Sequence, residues 1–284
     1  MACGYTFEPW LWILLLLVAT MAQSSVNTLN DWADYRAGTD TKENSDDPTD
    51  AVLVYENPNP SHVLALGYFY MLVALACGII CIVAAHSLFP VILGAIGGIV
   101  IVIYSSGKIP ISYLPLGEIV SGVVMGCLIP LADVCVFAGY TYAGSFGIMG
   151  PIAQIDWGRL LICTVPFVIG IGMIMATQNT CDIERDKPIG RHTLPVMLGR
   201  EKARTLYRIF AVIWILVMLH CSFWYFGEGF WACIVCLVLG TGTIRSVLVS
   251  PLVHEVRGPS MGAINKSNLF IEGAYVLGMM VSLL

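Results

Sequence analysis

Long apolar runs constrain this chain more than any other feature. The first covers residues 10–26, and seven more fall near 62–86, 88–105, 117–139, 159–178, 206–226, 229–250 and 269–284. Each has close to the roughly twenty residues that cross a ~30 Å hydrocarbon layer as a helix. A helix satisfies its own backbone polar groups, which lipid cannot do. The sequence therefore predicts an all-α, polytopic bundle of about eight transmembrane helices that forms one membrane-embedded domain over 1–284.

The composition excludes several other classes of protein. The chain is 57% hydrophobic and only 12% charged, whereas water-soluble proteins carry about 25% charged residues. A net charge of −5 offers no broad basic surface, which argues against a nucleic-acid partner. The ten cysteines lie mostly inside the apolar runs and are not expected to form a disulfide framework. The first run is preceded by Glu8 and by no basic residue, so we expect a retained span rather than an export signal.

Two segments, 27–61 and 179–208, hold most of the charged side chains and are expected to carry the function. Four predicted spans separate them, and an even number of crossings returns the chain to the same side of the membrane. The connections on that side hold all 14 lysines and arginines except Arg159. The positive-inside rule makes this side cytoplasmic. We therefore predict a multi-pass protein of the cell membrane with both polar loops on its cytoplasmic face.

Both segments place amide and acid side chains at helical spacing directly after a span. The first set follows the pattern i, i+3, i+4, i+7 and the second i, i+3, i+7, so each would line one face of a helix. Asn and Asp also serve as simple markers of helix ends at a membrane surface, and that interpretation is more economical for one set than for two. The two sets are Asn27, Asn30, Asp31 and Asp34, and Asn179, Asp182 and Asp186.

Clustered carboxylates repel one another unless a cation lies between them, and oxygen ligands favour a hard ion such as Mg²⁺. Mg²⁺ needs only one or two protein carboxylates when substrate phosphates complete its shell. Basic residues follow each acid set, with Arg36 and Lys42 after the first and Lys187 and Arg191 after the second; Lys108 lies in another loop of the same face. This pattern predicts a diphosphate site, and in a membrane the natural diphosphate carries an isoprenoid chain.

These residues resemble the motifs of the intramembrane prenyltransferases of the UbiA superfamily. Asn27 and Asp31 match its NxxxD-type motif, and Asp182 and Asp186 match its DxxxD motif. The longer strings over 27–41 and 179–204, with PLGE at 115–118, are most similar to the branch that prenylates 1,4-dihydroxy-2-naphthoate in menaquinone synthesis.

The resemblance implies a reaction and a role for each residue. A polyprenyl diphosphate and an aromatic acceptor would be the substrates, Mg²⁺ the cofactor, and demethylmenaquinone the product after loss of CO₂. Asp34 would be a further ligand or would support the ligands. The metal ligands would be Asn27, Asp31, Asp182 and Asp186, the catalytic acids Asp31, Asp34, Asp182 and Asp186, and the substrate-binding bases Arg36, Lys108, Lys187 and Arg191.

The sequence also departs from the family pattern and leaves alternatives open. Family members usually have one more helix before the first motif, so a shortened member or an internal start is expected. Cys181 stands where the naphthoate branch often has Arg. Glu118 is interpreted as a charge placed at the membrane interface. The alternatives are prenylation of another acceptor, such as 4-hydroxybenzoate or a chlorophyll precursor, a transporter, or a metal-binding scaffold without catalysis.

Overall fold

The structure is a computed structural model, and it describes residues 5, 8–38, 41–42, 52–105, 110–142, 147–148 and 155–283. Within these ranges the chain is helical apart from its connections, and no β-strand is formed. Lys108 lies outside the described residues. The all-α prediction is confirmed.

Thirteen α-helices occur in the described part of the chain. In order they are α1 (Pro9–Ala37), α2 (Val52–Tyr55), α3 (Pro60–Ala85), α4 (Phe89–Ser105), α5 (Gly117–Val123), α6 (Ile129–Thr141), α7 (Trp157–Cys181), α8 (Ile183–Asp186), α9 (Leu194–Leu198), α10 (Arg200–Tyr225), α11 (Gly229–Leu239), α12 (Thr241–Val249) and α13 (Arg257–Val281). A π-helical segment, Val124–Leu128, joins α5 to α6. Short 3₁₀ turns cover Ile111–Tyr113 and His254–Val256.

A multi-pass membrane protein is confirmed, but the number of spans is not. Among the described residues, five helices are long and apolar enough to cross a membrane: Pro9–Arg36, Pro60–Ala85, Gly117–Thr141, Trp157–Cys181 and Arg200–Tyr225. A sixth crossing results if α11 and α12 are one span, which bends by 59° at their junction. α4 is a shorter apolar helix, and α13 begins with polar residues ahead of the predicted run 269–284. The count of eight remains a prediction.

Contacts within the chain divide it into two compact units. We call the first the α1 unit (Thr6–Val91 and Cys135–Ala153). In it, Leu11 of α1 packs with buried Cys81 and Ala85 of α3. Nearer the polar end of α1, the Ser25 hydroxyl donates to the Gly67 carbonyl oxygen at 2.9 Å. The packing on α3 fixes which face of α1 is left for polar side chains.

The second is the α7 unit, which comprises Met1–Tyr5, Ile92–Val134 and Gln154–Leu284. Its core surrounds α7 and contains the buried side chains of Met173, Tyr207, Trp214, Ile271 and Tyr275.

On another side of α7, Gly122 and Gly126 bring the helix α5 and the π segment close to the backbone at Val168. A Cβ atom on Gly126 would lie 2.5 Å from the Val168 amide nitrogen. Small residues four apart permit such close approach of helices in membranes. This packing holds the start of α5 beside the last turns of α7.

Candidate functional site

The first polar set lies on the last three turns of α1, as predicted. α1 runs without a break from the apolar span to Ala37 and ends at Gly38, whose φ of 73° is left-handed. Its amide N–H contacts the carbonyls of Asp34 and Tyr35. This is the glycine ending that α-helices commonly adopt.

The faces of α1 are divided by its packing. Ser25 and Leu29 face α3 at Gly67, whereas Asn27, Asp31 and Asp34 are exposed. The Gln23 amide donates to Asn27 Oδ1 at 2.9 Å. A polar stripe at helical spacing therefore lies on the exposed side of this end of α1.

Arg36 also lies at this end of α1 and is exposed. Its guanidinium sits 5.8 Å from the centroid of the Trp32 ring, which is within cation–π distance. The side chain is thus stacked on its own helix in this structure.

The second polar set is less regular than its spacing predicts. α7 ends at Cys181, and Asp182 at its C-cap has non-helical φ and ψ of −95° and 12°. The short helix α8 then carries Asp186, whose amide donates to the Asp182 carbonyl at 2.8 Å. The prediction that this set forms a stripe on one continuous helix is therefore wrong, because the backbone turns at Asp182.

Asp182 is held by two basic side chains, one from the first residue of α13 and one from the 3₁₀ turn before it. Arg257 Nε donates to Asp182 Oδ2 at 3.0 Å, and His254 Nδ1 lies 3.3 Å from Oδ1. The side chains of Asp182 and Arg257 are 14% and 19% exposed. This largely shielded ion pair anchors the start of α13 to the end of α7.

Asp186 is buried and paired with Arg191. Arg191 Nη1 donates to Asp186 Oδ1 at 3.2 Å, and the Arg191 guanidinium also lies 5.2 Å from the centroid of the Tyr113 ring. Burial raises the pKa of the Asp186 carboxyl, and the positive charge of Arg191 opposes that rise. The loop is closed by the Arg191 amide, which donates to the Asp186 carbonyl at 3.1 Å.

Asp186 and Arg191 each have one polar side-chain atom whose hydrogen-bonding capacity is unused within the described part of the chain. Asp186 Oδ2 and Arg191 Nε are buried and lack a hydrogen bond to any residue that the structure describes. An unpaired buried polar atom is costly. One is an oxygen acceptor and the other an N–H donor, which suits a cation and an anion bound side by side.

Glu118 is a member of this region that the sequence interpretation missed. The side-chain amide of Asn179, the first residue of the second set, donates to Glu118 Oε1 at 2.9 Å. Glu118 is thus bound to the motif rather than serving only as an interfacial charge. PLGE at 115–118 was the available signal, but sixty-one positions separate the two partners.

Arg257 and His254 were missed as well. Arg257 was counted only among the cytoplasmic basic residues, and its partner Asp182 is 75 positions away. Of the other predicted bases, Lys187 is exposed. Cys181, at the position where Arg is often found, is fully buried in the core around α7. The position is therefore used for packing in this chain.

Three comparisons with known proteins bear on this arrangement. The family model described as the UbiA prenyltransferase family matches residues 1–250. The chain belongs to the UbiA prenyltransferase family. It is 30% identical over 209 residues to a 1,4-dihydroxy-2-naphthoate octaprenyltransferase of Bacillus subtilis (strain 168), a match that covers 73% of this chain and 61% of that protein.

Other members of the UbiA family give similar matches. UbiA prenyltransferase domain-containing protein 1 of Danio rerio is 27% identical over 225 residues, covering 78% of this chain and 61% of that protein. The Homo sapiens protein of the same name is 25% identical over 224 residues, covering 76% and 60%. The aligned part of this chain thus spans about three fifths of the length of these relatives.

A solved structure of digeranylgeranylglyceryl phosphate synthase shares the fold. Its TM-score is 0.58 at 14% sequence identity, and the match covers 98% of this chain and 89% of the other. The similarity of the two folds supports the helical membrane architecture of this chain.

Proposed function

We propose that this protein is a Mg²⁺-dependent prenyltransferase that transfers a polyprenyl group from an allylic polyprenyl diphosphate to 1,4-dihydroxy-2-naphthoate. Membership of the UbiA prenyltransferase family supports the reaction class. The 30% identity to a 1,4-dihydroxy-2-naphthoate octaprenyltransferase supports the acceptor. We also propose that the chain acts as one domain over residues 1–284, in the cell membrane, with both polar sets on the cytoplasmic face.

The chemistry of the second set carries this proposal. Asp186 presents one buried carboxylate oxygen that is unpaired within the described ranges, beside a buried arginine N–H. A hard divalent cation takes oxygen ligands, and arginine suits phosphate. A metal–diphosphate pair offers both kinds of partner at once.

The residues fit Mg²⁺ in the type of their donor atoms. Asn27, Asp31, Asp182 and Asp186 would hold the metal through side-chain oxygens, with Asp34 supporting them. The described residues contain no cluster of three or more His, Cys, Asp or Glu side chains that would hold a metal alone. Substrate phosphates would complete the shell of such an ion. When bound, Mg²⁺ neutralises negative charge on the departing diphosphate.

The protein side chains would then serve three purposes. Arg191 would donate its free N–H to the diphosphate, with Lys187, Lys108 and Arg36 as further contacts. Asp182 would keep its ion pair with Arg257, which fixes the end of α7, and would offer the metal a remaining lone pair of its carboxylate. The apolar helices would exclude water, because water would quench the allylic cation before the ring carbon attacks it. Preorganised charges of this kind supply the largest share of catalysis in many enzymes.

The experiment that tests the acceptor is a paired assay in membranes containing the protein. Each membrane sample receives a polyprenyl diphosphate, Mg²⁺ and either 1,4-dihydroxy-2-naphthoate or 4-hydroxybenzoate, and products are identified by mass spectrometry. We expect a prenylated naphthoquinol that has lost CO₂. Prenylation of 4-hydroxybenzoate alone would preserve the reaction class and overturn the acceptor. No product from either would overturn the reaction class for these acceptors.

A further inference from the structure

Glu118 occupies a position that the proposed reaction does not yet explain. It lies in the first turn of α5, and its Oε1 accepts the hydrogen bond from Asn179 Nδ2. Because the NH₂ group of Asn179 points at Glu118, the amide oxygen of Asn179 must point away from it. Glu118 therefore fixes the orientation of the first side chain in the second polar set.

The other oxygen of Glu118 is available for a second partner. Oε2 is buried and accepts no hydrogen bond from the residues described in the structure. A buried carboxylate oxygen without a donor costs more than an ordinary unmade hydrogen bond, because it carries charge. This atom is thus expected to receive a donor when the protein works.

The neighbours of Glu118 indicate the kind of donor. The Tyr104 hydroxyl donates to Met175 Sδ at 3.6 Å, and it would lie 3.2 Å from a Cβ atom on Gly117. The Tyr104 ring, the Met175 thioether and Gly117 thus border this region, and apolar neighbours favour a neutral donor over a strongly hydrated ion.

A metal ion would be a poorer match for this oxygen. A cation needs several oxygens around it, and one Glu118 oxygen already accepts the hydrogen bond from Asn179. A hydroxyl group needs only one acceptor. Aromatic substrates of the proposed class carry such a hydroxyl on the ring.

We propose that Glu118 binds the ring hydroxyl of the aromatic acceptor through Oε2, while Oε1 keeps the Asn179 amide in place. The proposal rests on the prenyl transfer proposed above. The hydrogen bond orients the acceptor and directs electron density from its oxygen into the ring. A ring carbon then forms the bond to the prenyl group as the allylic C–O bond breaks and diphosphate leaves, and the ring regains its electron pair when its carboxylate departs as CO₂; the hydroxyl keeps its proton. Glu118 is thereby a residue that selects hydroxylated acceptors.

Glu118→Gln tests this role with little change in shape. The glutamine oxygen can still accept from Asn179, but its NH₂ group replaces the acceptor oxygen at the position of Oε2. The control is Glu201→Gln, the same change at a glutamate whose side chain is 88% exposed. Binding of 1,4-dihydroxy-2-naphthoate and of 4-hydroxybenzoate to purified protein in nanodiscs is measured by calorimetry.

We expect Glu118→Gln to weaken binding of the acceptor about 10- to 150-fold, the range for a hydrogen bond to a charged group. Glu201→Gln should stay within about twofold of wild type by the same scale. Affinity for the polyprenyl diphosphate and the half-saturating Mg²⁺ concentration should be unchanged in both, which also reports that the variants fold. Wild type should bind the methyl ether of the acceptor hydroxyl as weakly as Glu118→Gln binds the parent compound.

Three results would overturn the proposal. Unchanged acceptor binding by Glu118→Gln, in a wild type that transfers prenyl groups, refutes the role of Glu118 and leaves the proposed function intact. A raised Mg²⁺ requirement with unchanged acceptor affinity makes Glu118 a metal ligand instead. A wild type that binds neither hydroxylated acceptor refutes both the role of Glu118 and the proposed acceptor class.

Discussion

The ion pair between Asp182 and Arg257 should stabilise the protein far more than an exposed pair of the same length. The perturbation is a double-mutant cycle of Asp182→Asn and Arg257→Gln. A matched cycle uses Glu201→Gln and Arg204→Gln, whose ion pair spans 3.1 Å against 3.0 Å for the first. The N···O distance is thus nearly the same in the two ion pairs, whereas the burial of their carboxylates differs.

The expected magnitude follows from that difference in burial. The two arginines are equally shielded, with Arg257 19% and Arg204 20% exposed, so the difference lies in the acids: Asp182 is 14% exposed and Glu201 is 88% exposed. A shielded hydrogen bond between charged groups contributes about 1.5–3 kcal/mol. An exposed pair three residues apart on a helix contributes about 0.5 kcal/mol or less. His254 also contacts Asp182, so we expect the first coupling energy near the lower part of its range, at about 2 kcal/mol.

The assay is unfolding of each protein by SDS titration in mixed micelles, followed by tryptophan fluorescence. Coupling energies are taken from the four proteins of each cycle, which cancels the separate hydrogen bond of Arg204 to the Pro251 carbonyl. A coupling energy for Asp182 and Arg257 below about 0.5 kcal/mol, equal to that of the exposed pair, would refute the reasoning. It would mean that the end of α7 is not anchored through this contact.

Three further predictions concern packing and the proposed site. Gly126→Ala should destabilise the protein by about 1–3 kcal/mol, because its Cβ would press on the backbone at Val168. The control is Gly98→Ala, whose added Cβ has no atom within 4 Å. It should leave the melting temperature equal to or slightly above that of wild type. Asp186→Asn should lower prenyl transfer by about 100-fold or more, measured by product formation, while the melting temperature shows that the variant is folded. Arg191→Lys should raise the KM for the polyprenyl diphosphate by about tenfold, since lysine keeps the charge but loses the planar fork of N–H donors. Equal melting temperatures of the two glycine variants, a fully active Asp186→Asn, or an unchanged KM in Arg191→Lys would contradict these predictions in turn.

The local part of the fold could be predicted from the sequence. The apolar runs located the membrane helices, and the i, i+3, i+4, i+7 spacing predicted that α1 continues through Asn27 and Asp34. Both features depend on neighbours in sequence, which periodicity reports directly. The bend between α11 and α12 was not predicted, although it occurs at Gly240, where an added Cβ would collide with the Phe270 ring. A glycine that permits close packing looks the same in a sequence as one that does not.

Only those residues of the site that lie close together in the sequence could be predicted. Asp182 and Asp186 were identified by spacing, but the turn of the backbone between them depends on which partners hold each carboxylate. Arg257, which holds the Asp182 carboxylate, is 75 positions from it, and Glu118, which holds the Asn179 amide, is 61 positions from that residue. Tertiary packing brings such groups together, and no pattern within one segment encodes it.

The most direct test of the central claim is Mg²⁺-dependent prenyl transfer by wild type and by two acid variants, one in each polar set. Membranes containing wild type, Asp31→Ala or Asp182→Ala receive polyprenyl diphosphate and 1,4-dihydroxy-2-naphthoate, with Mg²⁺ or with EDTA. We predict product from wild type with Mg²⁺ and none with EDTA, and a loss of about 100-fold or more in each variant. Product formation by wild type in the presence of EDTA would contradict the account. Full activity of Asp31→Ala or of Asp182→Ala would contradict it as well.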